Sequence, residues 1–303
     1  MIISINHLSK FYSIHKKEPG FAGAVRSLFA RQYETVKAVE DISFSIDEGE
    51  LVGFIGPNGA GKTTTLKTLS GLLYPTEGDV SVLGYNPFER KKDFLKQISL
   101  VMGQKNQLWW DLPPLDSFLL NKEIYEIPDK KFTKVLTDLS DLLDIHDILK
   151  VQVRKLSLGQ RMKCELIAAL LHSPKVLFLD EPTIGLDVVM QEKVREFVKE
   201  YNRAYNATVI LTSHYMGDVE ALCKRIIIIN HGKILYDGLL TDLVKQFAPY
   251  KIIRFVTRKK IDRKKCESIG EVKKFAYPEI VLAVPGNKVT DGIGRLLKLT
   301  EIE

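Results

Sequence analysis

Residues 52–69 read VGFIGPNGAGKTTTLKTL: a short apolar run, a turn containing Gly56, Gly59 and Gly61, and a helical pattern that opens at once. Glycines at that spacing let the backbone curl so that successive N–H groups point inward. Together with the positive end of the following helix, those donors form an anion site that fits a triphosphate. The segment matches G-x-x-x-x-G-K-[ST] from Gly56 to Thr63. In that pattern Lys62 reaches the β- and γ-phosphates as a compact charge, and the Thr63 hydroxyl is placed to ligate Mg²⁺. A strand before it and a helix after it supply the context the pattern requires.

Upstream of this loop, Ile3, Ile5 and Leu8 alternate as in a strand that closes on Phe11 and Tyr12, where an aromatic ring is placed to stack on a flat base. VKAVEDISFSI (36–46) and LVGFIG (51–56) predict two more strands around the turn Asp47-Glu48-Gly49. The loop before them holds Phe21, Val25, Leu28 and Phe29 at helical spacing, with Arg26 and Arg31 among them. That spacing predicts a short amphipathic helix whose apolar face packs on its own domain or meets a partner.

Downstream, Tyr74 to Gly78 form a turn, Asp79 to Leu83 a strand, and ISLVMG (98–103) another strand that runs into Gln104. In QLWWDLPPLDSF (107–118), Trp109 and Trp110 are followed by Pro113 and Pro114, which excludes a regular element. The tryptophans suit either a rigid exposed socket or core packing. Phe132, Val135, Leu136, Leu139, Leu142 and Leu143 repeat at three and four, so 115–149 is helical in pattern, an insertion between two halves of a nucleotide core. Leu156-Ser157-Leu158-Gly159-Gln160 then precedes a Leu- and Ala-rich helix predicted from Arg161 to Leu171, implying a second anion site.

VLFLDEP (176–182) is the continuous apolar run of a strand buried on both faces of a parallel sheet. Its carboxylates, Asp180 and Glu181, stand at the strand's C-terminal end, where open α/β sheets place their ligands. A helix from Gln191 to Tyr205, a strand from Thr208 to Ser213 ending in His214, a further helix and the strand IIIIN complete the core near residue 230. Gly232 and Gly238 bracket a final hairpin-like segment. Beyond about residue 245, alternation in KIIRFV and EIVLAV predicts a small α+β appendage with its own core.

The 303 residues are 45% hydrophobic and 27% charged, enough for one large core and a smaller second one. No apolar run approaches the eighteen or so residues that cross a bilayer, and MIISINHLSK lacks the layout of a secretory signal, so a cytoplasmic location is expected. Cys164, Cys223 and Cys266 are odd in number and outside any CxxC spacing, and read as reduced thiols. Of the net charge of +6, residues 251–274 carry ten Lys or Arg against three Asp or Glu, a local +7 that leaves the remainder at −1. A near-neutral body gives little support to nucleic-acid binding. The basic stretch reads as a solvated face or as an attraction to anionic lipid.

GPNGAGKTT, Gln104, LSLGQ, VLFLDEP, IGLD and TSH, in this order, resemble the ATP-binding cassette (ABC) ATPases that power ABC transporters, over residues 1 to about 240. The resemblance implies an α/β P-loop NTPase core with an antiparallel β subdomain and a helical subdomain, at about 105–172, inserted between the phosphate loop and the signature motif; the small α+β appendage at 245–303 lies beyond it. It implies ATP held by Gly56, Pro57, Asn58, Gly59, Ala60, Gly61, Lys62, Thr63 and Thr64, with Tyr12 stacked on adenine. It further implies Mg²⁺ held by Thr63, Gln104 and Asp180. Glu181 is implied as the catalytic carboxylate, Gln104 as the contact to the attacking water, and His214 as the contact to the γ-phosphate. Ser157, Gly159 and Gln160 are implied to bind nucleotide held by the opposite subunit, with Asp187 at that dimer seam. A second cassette, as a homodimer or a pair with a similar subunit, is therefore expected.

One departure is Leu158, where the family usually has glycine; altered packing at the interface is the expected consequence. The loop at 13–34, the tryptophan segment and the basic appendage resemble bacterial members paired with separate multi-pass permeases of the ABC-2 exporter kind. That implies a peripheral place on the inner face of the membrane, with no nucleic-acid partner. A soluble cassette ATPase acting on ribosomes or DNA is a competing reading, but such members usually carry two cassettes or a long coiled coil, absent here. An importer ATPase shares all the chemistry.

Overall fold

The strands begin with β1 (Ile3–His15), β2 (Tyr33–Ile46) and β3 (Leu51–Ile55). The computed structural model describes residues 1–15, 33–103, 107–247, 250–257 and 260–299. The expected helix with Phe21, Val25, Leu28 and Phe29 lies outside the described residues, as does Gln104. After β3 come α1 (Lys62–Leu69), β4 (Glu77–Val82), α2 (Lys92–Leu95) and β5 (Ile98–Met102). The helical insertion holds α3 (Pro114–Ile124), α4 (Asp129–Leu143) and α5 (Leu158–Leu170). Then follow β6 (Val176–Asp180), α6 (Val188–Tyr205), β7 (Thr208–Ser213), α7 (Met216–Leu222), β8 (Arg225–Asn230) and β9 (Lys233–Leu239). Last are α8 (Leu240–Phe247), β10 (Tyr250–Val256), α9 (Arg263–Glu267), β11 (Glu271–Ala276), β12 (Glu279–Pro285) and α10 (Val289–Leu299). The chain divides into two compact units, Met1–Gly238 and Leu239–Glu303.

The first unit holds a six-stranded sheet of order β5-β6-β7-β3-β8-β9 and a three-stranded antiparallel sheet of order β2-β1-β4. β5, β6, β7, β3 and β8 pair in parallel. Their registers bring Met102, Asp180, Thr212 and Ser213 to one end of the sheet with Ile55. All six residues of β7 are buried, as are Val176 to Leu179 of β6, as expected of parallel strands covered on both faces. A core of Ile3, Ile5, Leu8, Phe44, Phe54, Leu66 and Phe178 runs from the antiparallel sheet into the parallel one. Each such side chain contributes roughly 1.5–3 kcal/mol by leaving water. The glycine loop is therefore carried on a strand that cannot shift without opening this core.

Three expectations change in the helical parts. The segment 115–149 is two helices, broken where Glu126 turns to a φ of 54° and Pro128 precedes α4. Pro113 and Pro114 do not keep QLWWDLPPLDSF irregular throughout: proline is tolerated in a first turn, so α3 starts at Pro114. The helices expected from Arg161 and from Gln191 begin three residues earlier, at Leu158 and Val188, because Ser157 and Asp187 cap them.

In the second unit β10, β12 and β11 form an antiparallel sheet with β12 central. Its small core comprises Phe255, Cys266, Ile269, Ile280, Leu282, Val284 and Leu296. The basic side chains lie outside that core. Arg254 and Lys274 both pair with Glu279, and Arg263 pairs with Glu267 one helical turn on.

Candidate functional site

Gly61 precedes α1 at a φ of +112°, a conformation that favours glycine, and a Cβ there would meet Ala38 O at 2.5 Å. Gly56 approaches the end of β8 so closely that a Cβ would sit 2.2 Å from Ile229 O. The helical ladder opens with Thr65 N–H donating to Gly61 O at 2.9 Å. The N–H groups of Lys62, Thr63 and Thr64 precede it, and all three residues line a cavity of about 540 Å³. Asn58, Gly59, Ala60, Gly61, Lys67, Ala38, Met102, Gly103, Asp180 and Glu181 complete the lining. That volume is ordinary for a small-molecule site.

Lys62 is only 5% exposed. Its Nζ donates to Gly56 O at 2.7 Å and Pro57 O at 3.1 Å, and lies 4.0 Å from Glu181 Oε1. The ammonium thus bridges the two ends of its own loop and faces the acidic pair. Asp180 accepts from Thr63 Oγ1 at 2.8 Å on one carboxylate oxygen and from Thr212 Oγ1 at 2.7 Å on the other. Those oxygens, a hydroxyl and a carboxylate, are the hard donors that Mg²⁺ takes alongside phosphate and water. Thr63 and Asp180 supply two such donors, which fits an ion shared with a phosphate.

Glu181 sits at a φ of +54°, uncommon for a side chain of its size. Its N–H donates to Thr212 Oγ1 and to Thr212 O, both at 3.1 Å, and Gly103 packs so close that a Cβ there would lie 2.2 Å from Glu181 O. Held this way, the side chain places Oε1 3.2 Å from His214 Nδ1. The strand ends therefore assemble a cation, a hydroxyl–carboxylate pair and a carboxylate–imidazole pair around one cavity. Such a set has the chemistry to bind a polyphosphate and to orient a water toward it. Tyr12 is absent from the cavity lining. It lies on β1 with Lys10 Nζ 5.3 Å from its ring centroid.

LSLGQ stands at the start of α5, away from that lining. Ser157 Oγ accepts from Gln160 N–H at 3.2 Å, and Gln160 Oε1 accepts from Ser157 N–H at 2.9 Å, a reciprocal capping box. Leu158 packs on Gly185, where an added Cβ would come within 3.0 Å of it, and Gly159 packs on Met190 in the same manner. The start of α5 is thereby joined to the start of α6, which Asp187 caps by accepting from Met190 N–H at 2.9 Å. Leu158, Val188 and Val189 are 39%, 78% and 69% exposed on the residues so joined.

Trp109 and Trp110 are 60% and 48% exposed, which settles their alternatives in favour of a surface position. Arg161 stacks over Trp110 at 5.6 Å, and Trp109 lines a groove of about 590 Å³ with Leu72, Leu100, Leu120 and Ile124. Glu165 of α5 accepts from Gln107 N–H at 2.9 Å and from Leu108 N–H at 3.2 Å, fixing the chain just before the tryptophans. Burial raises its carboxyl above the usual range. The three cysteines are buried and free, and burial pushes the Cys164 and Cys223 thiols up to about 12, so they are inert at neutral pH.

The reading from sequence missed Thr212, Glu165 and the groups around Asp218. Thr212 was within reach of inference: it immediately precedes Ser213 and His214 and pairs in register with Asp180.

Residues 39–184 match the family described as "ABC transporter". The chain is 33% identical over 215 residues to the "ABC transporter ATP-binding protein NatA" of Bacillus subtilis (strain 168), covering 71% of this chain and 87% of that protein. It is 31% identical over 220 residues to the "Bacitracin transport ATP-binding protein BcrA" of Bacillus licheniformis, covering 73% of this chain and 71% of that one. A solved structure described as "Structure of ATP binding subunit of ABC transporter" superposes with a TM-score of 0.67 at 25% identity, over 82% of this chain and 93% of the other. With the phosphate loop, the acidic strand end, the histidine and the capped LSLGQ helix in one unit, the chain belongs to the ATP-binding proteins of the ABC transporter family.

Proposed function

We propose that the chain hydrolyses ATP and couples the binding, dimer closure and hydrolysis cycle to a separate membrane permease, in the direction of export. The observation that carries the hydrolytic part is the division of labour between adjacent carboxylates. Asp180 is held on both oxygens by Thr63 and Thr212 and keeps lone pairs for a cation, whereas Glu181 stands beside His214 and lines the cavity. Gly56 to Thr64 cradle the phosphates and Lys62 neutralises them. Thr63 and Asp180 would hold Mg²⁺, with Gln104, which when bound offsets the charge on the phosphate oxygens. Glu181 orients and deprotonates the attacking water, and His214 contacts the γ-phosphate. Tyr12 stacks on the adenine. Measuring ATP turnover in Glu181→Gln tests the assignment: binding is kept, turnover is lost and an ATP-bound dimer accumulates on size exclusion.

The dimer is supported by the exposed Leu158, Val188 and Val189 beside the capped starts of α5 and α6. Apolar side chains grouped there suit a face that another cassette covers. Ser157, Gly159 and Gln160 then meet the partner's nucleotide, and Asp187 lies at the seam. Among the described residues no helix is long and apolar enough to cross a membrane, so transport needs a spanning partner. The groove beside Trp109 is the face offered to it. Export is favoured by the resemblance of the tryptophan segment and the basic appendage to the ABC-2 branch. A neighbouring reading frame with about six apolar spans supports that direction; one for a secreted solute-binding protein would favour import.

A further inference from the structure

One buried carboxylate has no part in the chemistry above. Asp218, on α7, is fully buried. It accepts from Arg195 Nε at 2.8 Å, Ser213 Oγ at 2.8 Å and Thr183 Oγ1 at 2.5 Å. A charge removed from water persists only with a full set of donors, and here the donors come from three separate segments. Thr183 lies two residues after Glu181. Ser213 immediately precedes His214, and its Oγ also accepts from Tyr215 N–H at 2.9 Å, so both neighbours of His214 are held. Arg195 is on α6, the helix that Asp187 caps.

The side chains of Glu181 and His214 meet at 3.2 Å, yet they stand on two loops at the ends of neighbouring strands. Glu181 N–H already ties the two strand ends at Thr212, and the loops beyond that tie are held to each other by a further anchor common to both. We propose that Asp218 is that anchor: a positioning residue for hydrolysis, which grips the Thr183 and Ser213 hydroxyls and so sets Glu181 against His214. This rests on the assignment of Glu181 as the hydrolytic carboxylate. Asp218 touches no nucleotide in this scheme, so its loss acts on the rate of the bound complex and not on the binding of ATP. A displacement of the reacting groups by about 1 Å slows turnover by up to roughly a hundredfold.

The test compares the full-length chain with Asp218→Asn, Thr183→Val and Thr183→Ser in steady-state ATP hydrolysis and in binding of a non-hydrolysable ATP analogue. Asp218→Asn and Thr183→Val are expected to lower kcat by at least about tenfold, with KM and analogue affinity within about twofold. Thr183→Ser keeps the hydroxyl and is expected to retain kcat within about twofold, although it deletes a buried methyl. A merely structural role predicts a lower unfolding midpoint for Thr183→Val, which leaves Asp218 short of a donor, with kcat per folded molecule and KM both kept. Parental turnover in Asp218→Asn and Thr183→Val, beside an inactive Glu181→Gln, overturns the inference alone. Equal losses in Thr183→Val and Thr183→Ser also overturn it. Should Asp218→Asn fail to fold, the Thr183 pair decides. Full turnover in Glu181→Gln would remove the assignment and this inference with it.

Discussion

The glycine loop and the LSLGQ surface are both helix starts in the first unit, but they are finished differently. At the loop, Lys62, Thr63, Asp180 and Glu181 find their partners inside one chain, and the Thr63–Asp180 and Lys62–Glu181 pairs join residues more than a hundred positions apart in sequence. At LSLGQ the cap is equally complete, since Ser157 and Gln160 satisfy each other. What remains outside is apolar: Leu158 with Val188 and Val189. One surface is closed by its own fold, and the other leaves apolar side chains exposed in the single chain. The contrast teaches that the phosphate site is built within the protomer, whereas the LSLGQ surface is the part that the proposed dimer would complete.

Glu181→Gln breaks the closed half most severely. ATP turnover should fall by about a hundredfold or more, with nucleotide affinity retained, as steady-state hydrolysis and equilibrium binding would register. Lys62→Ala comes next: removing a charge from a buried phosphate contact costs about 2–5 kcal/mol, so nucleotide affinity should drop by roughly thirtyfold or more in a binding titration. Unchanged affinity would separate the lysine from the cradle.

A pH experiment addresses the helix that carries LSLGQ. His172 follows α5, donates from Nε2 to Ile98 O at 2.9 Å and stacks on Tyr125 at 3.9 Å. Burial first of all brings its imidazole from 6.5 down to about 4. Between those values the unfolded chain binds the proton and the folded one does not, so stability is lost as pH falls from 6.5 toward 4. The loss reaches up to about 3 kcal/mol. Urea midpoints across that window should fall less steeply in His172→Gln, and identical slopes would discard the histidine as the cause.

Ser157→Ala sharpens the comparison on its open side. Loss of the cap should cost about 1 kcal/mol of stability. Turnover should fall while the affinity of the isolated chain for ATP is kept, the outcome the proposed dimer requires of a residue that meets the neighbour's nucleotide. The smallest effect is expected in the second unit, where reversing Lys260, Arg263, Lys264 and Lys265 should leave ATP hydrolysis within about twofold, since single-charge contacts on an exposed surface are weak. A collapse of activity would join that unit to the catalytic engine.

Much of the cassette was readable because its signals are local. Continuous apolar runs marked β6 and β7, and proline, glycine and acidic turns marked most boundaries. The starts of α5 and α6 were misplaced by three residues because Ser157 and Asp187 were read for their chemistry and not as caps. The two tryptophans could not be assigned from pattern alone: an aromatic pair looks the same whether a helix covers it or water does. Asp218 was invisible for a related reason, since a short helix with Asp218 and Glu220 reads as solvated until its neighbours are known.

The phosphate loop, the acidic strand end and the parallel sheet were determined by the sequence alone, because glycine torsions, helix termini and buried apolar runs act over a few residues. Which hydroxyls grip Asp180, which buried carboxylate joins the Glu181 and His214 loops, and which leucine faces outward beside Asp187 were decided only by the tertiary structure. Those contacts depend on the register of strands and helices remote in the chain, and packing selects that register through the whole core at once.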